Sequence, residues 1–219
     1  MKTELQRGAE ALAQGGVFLG GPVEVFERLG RHQLILLLEH GLIPHSKVLD
    51  VGCGCLRAGY WLIHFLQPGG YFGIEPNTRM LDAGKQTFFT PELLAYKRPM
   101  FSANDDFDFS VFGVAFDFVL ARSIWTHASS HQIERMLDGF VVNAKPGAVF
   151  LASYRRAARP EEQYTGPSWV GRSHQCATPG MVSYAFEWIE GQCSSRNLQV
   201  TELMPEVQDQ TWLRITKPE

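Results

Sequence analysis

The sequence predicts an α/β fold, a mostly parallel sheet with helices on both faces. Three observations predict it. First, a buried-strand run from Val48 to Val51 ends in the glycine-rich turn Gly52-Cys53-Gly54, and an amphipathic run from Ala58 to Leu66 follows. Second, the break Pro68-Gly69-Gly70 leads to another short strand, Tyr71 to Ile74, closed by Glu75. Third, the rhythm continues: a strand at Phe116–Ala121, a helix near Ser130–Asn143 and a strand over Ala148–Tyr154. Continuous apolar runs alternating with helical patterns are the mark of strands buried on both faces.

The remaining elements follow in order. Residues 1–21 read as a mobile polar helix and then a glycine-rich loop, Gly15 to Gly21. Within that loop Gly15-Gly16 and Gly20-Gly21 bracket Val17-Phe18-Leu19 like hinges around an apolar plug. Pro22 to His40 reads as a helix, because Pro22 suits a first helical position and Gly41 a stop. Phe26, Leu29, Gln33, Leu36 and Leu37 share one face of it. A helix is expected near Thr78–Phe88 with Asn77 or Thr78 as its cap. Residues 90–100, holding Pro91 and Pro99, read as loop, with a third strand around Met100–Ala103. Lys145-Pro146-Gly147 reads as a turn before the strand at Ala148. Arg155 to Gly180 then breaks the rhythm, and an irregular stretch of that length reads as a substrate lid. A helix over Met181–Cys193 and strands at Asn197–Met204 and Thr211–Thr216 complete the chain. The organisation expected is a single domain over 1–219, with 1–46 as a helical cover and 155–180 as the lid.

Composition narrows the function. An apolar content of 45%, a charged content of 20% and a net charge of −3 describe an ordinary globular protein. That charge gives no general attraction to nucleic acid, so a nucleic-acid substrate is not expected. The longest apolar stretch, Leu34 to Leu38, is too short to span a bilayer, and no secretory signal is visible, so a cytoplasmic location is expected. The four cysteines, Cys53, Cys55, Cys176 and Cys193, lack metal-ligand spacing and read as reduced, packed thiols; no metal is expected.

A strand–turn–helix–strand unit ending in an acid presents main-chain N–H groups and a ribose acceptor where nucleotide cofactors bind. A dinucleotide fingerprint needs its third glycine where Arg57 stands, and here the next glycine is Gly59. The run Val48-Leu49-Asp50-Val51-Gly52-Cys53-Gly54 instead resembles the first motif of class I S-adenosylmethionine-dependent methyltransferases, V-L-D-x-G-C-G. Gly73-Ile74-Glu75, Phe116–Ala121 and Ala144-Lys145-Pro146-Gly147 fit the same family, over about Val48 to Ile215. One departure is Leu56, where many members carry another glycine. The resemblance implies a three-layer sandwich around a seven-stranded sheet, its last strand antiparallel and inserted beside its neighbour. It also implies S-adenosyl-L-methionine as cofactor, held by Asp50, Gly52, Cys53, Gly54 and Glu75. The segment after the third strand would meet the adenine through Asp105 or Asp106, with Phe107 beside them.

Methyl transfer is an in-line displacement in which the protein supplies alignment and desolvation. Arg122 to His127 follow the strand Phe116–Ala121, at the cleft mouth. His127 is the candidate base, set against the plainer reading of a capping or packing residue. Trp125 is a candidate aromatic wall, or packing, and Arg122 a candidate anion anchor. The lid adds Arg155, Trp169 and Arg172 as substrate-binding candidates, among Arg156, Arg159, Tyr164 and His174. Guanidinium groups beside aromatic rings suit a small anionic or aromatic acceptor. The reading is therefore methyl transfer to a small molecule, at oxygen, with nitrogen acceptors left open. Its rivals are a methyltransferase-like partner-binding domain, kept alive by Leu56, and an NAD(P)-dependent enzyme. The second lacks the third glycine and a Tyr-x-x-x-Lys pair.

Overall fold

The computed structural model describes residues 2–171, 180–206 and 210–218. Its seven strands run in the order β3-β2-β1-β4-β5-β7-β6. In chain order these are β1 (Val48–Val51), β2 (Tyr71–Ile74), β3 (Met100–Ser102), β4 (Phe116–Ala121), β5 (Ala144–Tyr154), β6 (Gln199–Glu206) and β7 (Gln210–Thr216). β1 pairs with β2, β2 with β3 and β4 with β5 in parallel. β7 is antiparallel to both β5 and β6 and lies between them. The expected insertion of the last strand is thus present. The chain divides into two compact units, 1–104 and 105–219.

The first unit holds α1 (Glu4–Gln14), α2 (Phe26–Glu39), α3 (Arg57–Phe65), α4 (Thr78–Phe88) and α5 (Pro91–Lys97) with the first three strands. β1 and β2 are buried along their whole length, Asp50 of β1 included. α1 is no loose polar appendage. Thr3 caps it, and Leu5, Ala9 and Leu12 bury one stripe against Leu19, Phe26, Cys55 and Met80. Each large apolar side chain so buried contributes about 1.5–3 kcal/mol. α2 begins later than the sequence suggested: Pro22 precedes a 3-10 turn, Val23–Val25, and the α-helix starts at Phe26. Residues 90–97 are not a loop, because Thr90 accepts the Leu93 N–H and Pro91 opens α5. A Thr-Pro pair is a helix start as readily as a turn.

The second unit holds α6 (Ser130–Asn143), α7 (Phe186–Ser194) and the last four strands. Ser129 and Gln132 form a capping box that fixes the start of α6. Lys145-Pro146-Gly147 does not precede β5 but lies within it. Phe116 pairs with Ala144 and Phe118 with Val149, so the extra residues bulge. The helix read over 181–193 starts only at Phe186. Before it, the Val182 N–H donates to the Thr126 carbonyl and Tyr184 bridges to Arg156.

Candidate functional site

The turn after β1 is fixed through the main chain. Gly52 and Gly54 take left-handed conformations, with φ of 69° and 57°. The Gly52 and Cys53 N–H groups donate to the Ile74 carbonyl, which ties the turn to the end of β2. Glu75, one residue on, is buried. Its Oε2 accepts from the Gly54 N–H at 2.9 Å and its Oε1 from the Asn77 N–H at 2.8 Å. A carboxylate offers about four acceptor positions, two of which these bonds take. Burial pushes the Glu75 carboxyl up, and the two N–H groups pull it back. Asn77 in turn caps α4 by accepting the Met80 N–H.

Asp50 lies behind this turn. Its Oδ2 accepts from the Tyr71 hydroxyl at 2.8 Å, and burial pushes its carboxyl up to about 7. The Cys53 thiol, beside Tyr71, is pushed well above its usual range by burial, so it packs as a neutral group.

Leu56 explains the departure from the glycine pattern. It too is left-handed, with φ of 67°, a conformation costing a leucine roughly 1–2 kcal/mol. Its side chain is wholly buried, which offsets that cost. The room comes from Gly59: a Cβ there would stand 2.8 Å from both Leu56 Cδ2 and the Tyr71 hydroxyl oxygen. The glycine that arrives two positions late is the socket for the leucine that replaced the expected one. Gly84 of α4 packs on the other side, where a Cβ would stand 2.6 Å from the Cys55 carbonyl carbon. Arg57 reaches back to donate to the Gly20 carbonyl at 3.2 Å, with Leu19 packed against Cys55 and Met80. Neither Gly59 nor Arg57 was among the expected site residues; the misplaced glycine was the available signal for the first.

In the second unit, three expected site residues come together. The His127 and Trp169 rings stack at 5.5 Å, and Trp169 and Phe107 at 6.5 Å. Asp106 is half-exposed and paired with Arg135, while Asp105 is exposed. The neighbouring Asp108 caps a short turn through the Ser110 N–H. Trp125 is fully buried edge-on to Phe150, a packing position. Arg155 is half-buried and its carbonyl accepts the Tyr184 N–H. Arg156 and Arg159 are ion-paired with Glu202 and Glu162. Arg172 and His174 lie outside the described residues.

Arg122 is buried and donates to the Ser123 hydroxyl at 3.3 Å. Ser123 is left-handed, with φ of 57°. Its N–H donates to the Ser153 hydroxyl at 2.7 Å, and both serine hydroxyls bond Gln210. A strained non-glycine residue in a buried polar network, at the end of a parallel strand, is a place to look for function. Ser153 and Gln210 were missed; a serine inside the apolar run Val149–Tyr154 was the readable sign.

No family model matches the chain. Its fold is similar to that of magnesium protoporphyrin IX methyltransferase from Synechocystis PCC 6803, solved with S-adenosylmethionine bound. The TM-score is 0.62 and the identity 14%, over 89% of this chain and 81% of that one. An S-adenosylmethionine-dependent methyltransferase from Clostridium acetobutylicum ATCC 824 gives 0.64 at 11% identity, over 87% of this chain and 91% of that one. The N-methyltransferase NodS from Bradyrhizobium japonicum WM9 gives 0.58 at 18% identity, over 89% and 97%. At these identities the likeness shows the fold, which is that of the class I S-adenosylmethionine-dependent methyltransferases.

Proposed function

We propose that this chain is an S-adenosylmethionine-dependent methyltransferase acting on a small-molecule acceptor, at oxygen. The observation that carries the reading is Glu75: a buried carboxylate at the tip of β2, bonded to the Gly54 N–H of a left-handed glycine turn. An acid fixed this way can accept both hydroxyls of a ribose, and the adjoining turn lets main-chain N–H groups approach the amino-acid end of the cofactor. The uncharged side chains of Cys53, Cys55 and Met80 suit the body of that ligand. When bound, the cofactor supplies an activated methyl group on a sulfonium.

The chain's own part is alignment, worth far more here than acid–base chemistry. Phe107 and Trp169 would give an apolar face, and Arg122 a fixed cation, to an aromatic or anionic acceptor. An acceptor that is already ionised needs no base. Buried free thiols at Cys53, Cys55 and Cys193 support a reducing, cytoplasmic setting. The burial of Leu56 against Gly59 supports this reading over a disabled, partner-binding domain, because the leucine is housed in the core.

Calorimetric titration tests the reading. S-adenosylmethionine and S-adenosylhomocysteine should bind and NAD should not. Glu75→Ala should weaken the first two by at least about 100-fold, the loss of two hydrogen bonds to a charged group. If neither adenosyl ligand binds the unaltered protein, the reading is wrong and a partner-binding domain takes its place.

A further inference from the structure

We propose that His127 is a positioning residue: it clasps Val170 and so seats the Trp169 ring beside Phe107 as the surface on which an acceptor is laid. The acceptor's part rests on the methyltransferase reading; the clasp itself does not.

The clasp is reciprocal. The Val170 N–H donates to the His127 carbonyl at 2.8 Å, and His127 Nδ1 lies 2.8 Å from the Val170 carbonyl oxygen. A carbonyl only accepts, so Nδ1 carries the proton. One bond fixes the main chain and the other fixes the plane of the ring. That plane sets the next contact, because the imidazole stacks on Trp169 with 29° between the rings, and Trp169 on Phe107 with 27°. Phe107 is itself left-handed, with φ of 59°, so its backbone aims the ring from a conformation that costs about 1–3 kcal/mol.

The approach is close enough to dictate sequence. At Gly171 a Cβ would overlap Nδ1 and stand 2.9 Å from Cε1 of His127, so no residue with a side chain fits without moving the ring. Further along, the Val182 N–H donates to the Thr126 carbonyl and the Tyr184 hydroxyl to the Ala128 carbonyl, so the turn 126–128 also holds 182–184. With the proton on Nδ1 and pointed at Val170, the ring's lone pair lies on Nε2. The clasp uses Nδ1 and holds whether or not Nε2 takes a proton.

Hydrogen exchange on the full-length, unliganded protein tests this. His127→Ala should speed exchange across 164–171 by about tenfold or more, the loss of one buried hydrogen bond, while Phe116–Ala121 stays protected. His127→Asn should restore most of the protection, because its side-chain amide can donate to Val170 from near the Nδ1 position yet has no basic nitrogen. Gly171→Ala should reproduce the His127→Ala pattern with the histidine still present, which keeps the test open if His127→Ala fails to fold. The near-ultraviolet dichroism that Trp169→Phe removes should be lost in His127→Ala and kept in His127→Asn. Unchanged exchange in His127→Ala, or equal loss in Ala and Asn, would overturn the clasp. If the unaltered protein shows the clasp but binds no S-adenosylmethionine, the methyltransferase reading and the acceptor's part fall, and the positioning of Trp169 stands.

Discussion

The turn at 52–56 and the turn at 122–128 each follow a parallel strand, yet they are made of different material. In the first, the turn itself contributes main-chain N–H groups: Gly52 and Cys53 to the Ile74 carbonyl and Gly54 to the Glu75 carboxylate, with helix α4 against Cys55 without an intervening side chain. The second adds side chains of its own to its main-chain bonds with Val170 and Val182: Ser123 with Ser153 and Gln210, His127 with Val170, and the Tyr184 hydroxyl to Ala128. A main-chain construction tolerates no added atoms but survives many exchanges of side chain elsewhere. A side-chain construction can be re-cut one residue at a time.

The largest expected effect sits in the first turn and is a pH effect. Asp50 is held up to about 7 by burial, against a usual value near 3.8. Between those values the folded protein keeps a proton that the unfolded chain gives up, so this group's contribution is complete below the lower value and is lost as pH rises to the upper one. Denaturation midpoints should therefore fall from pH 4 to 7, and Asp50→Asn should flatten that slope. Next comes Gly84→Ala, where the added carbon meets backbone that cannot yield; a loss of about 3 kcal/mol in urea denaturation is expected. Gly59→Ala should cost about 2 kcal/mol by the same route. Here the obstruction is partly the Leu56 side chain, so adding Leu56→Ala should recover part of the loss, a coupling that a double-mutant cycle reads directly. The smallest effect belongs to the second turn. Tyr184→Phe leaves the Ala128 carbonyl short of one bond and should cost about 1 kcal/mol. If Tyr184→Phe proved costlier than Gly84→Ala, the contrast between the two turns would fail.

Much of this was legible in the chain. Strands β1, β2 and β4 and helix α4 have the expected bounds, because predominantly apolar runs bounded by turn residues and an Asn cap leave little choice. Misreadings gathered at prolines. Pro91 opens a helix, Pro22 sits outside one, and Pro146 lies inside a strand as a bulge. Proline fixes its own φ but does not announce which element uses it. At the site, Gly52, Gly54 and Glu75 were readable because their spacing is local. The contact of His127 with Val170, 43 residues away, was not, since nothing in either neighbourhood points to the other. Nor could spacing tell that Asp106 answers to Arg135.

The lodging of Leu56 against Gly59 also bears on how such a chain can change. Begin with glycine at 56 and a bulkier residue at 59. Leucine cannot arrive first, because the space it needs is occupied. Glycine at 59 can, at a cost of roughly 0.5–1 kcal/mol for a helical glycine, a burden a domain can carry for a time. Once leucine fills the space, any side chain returning at 59 is barred until position 56 shrinks again. The two substitutions therefore have one permitted order in each direction: position 59 must open before leucine arrives at 56, and position 56 must shrink before 59 is filled again.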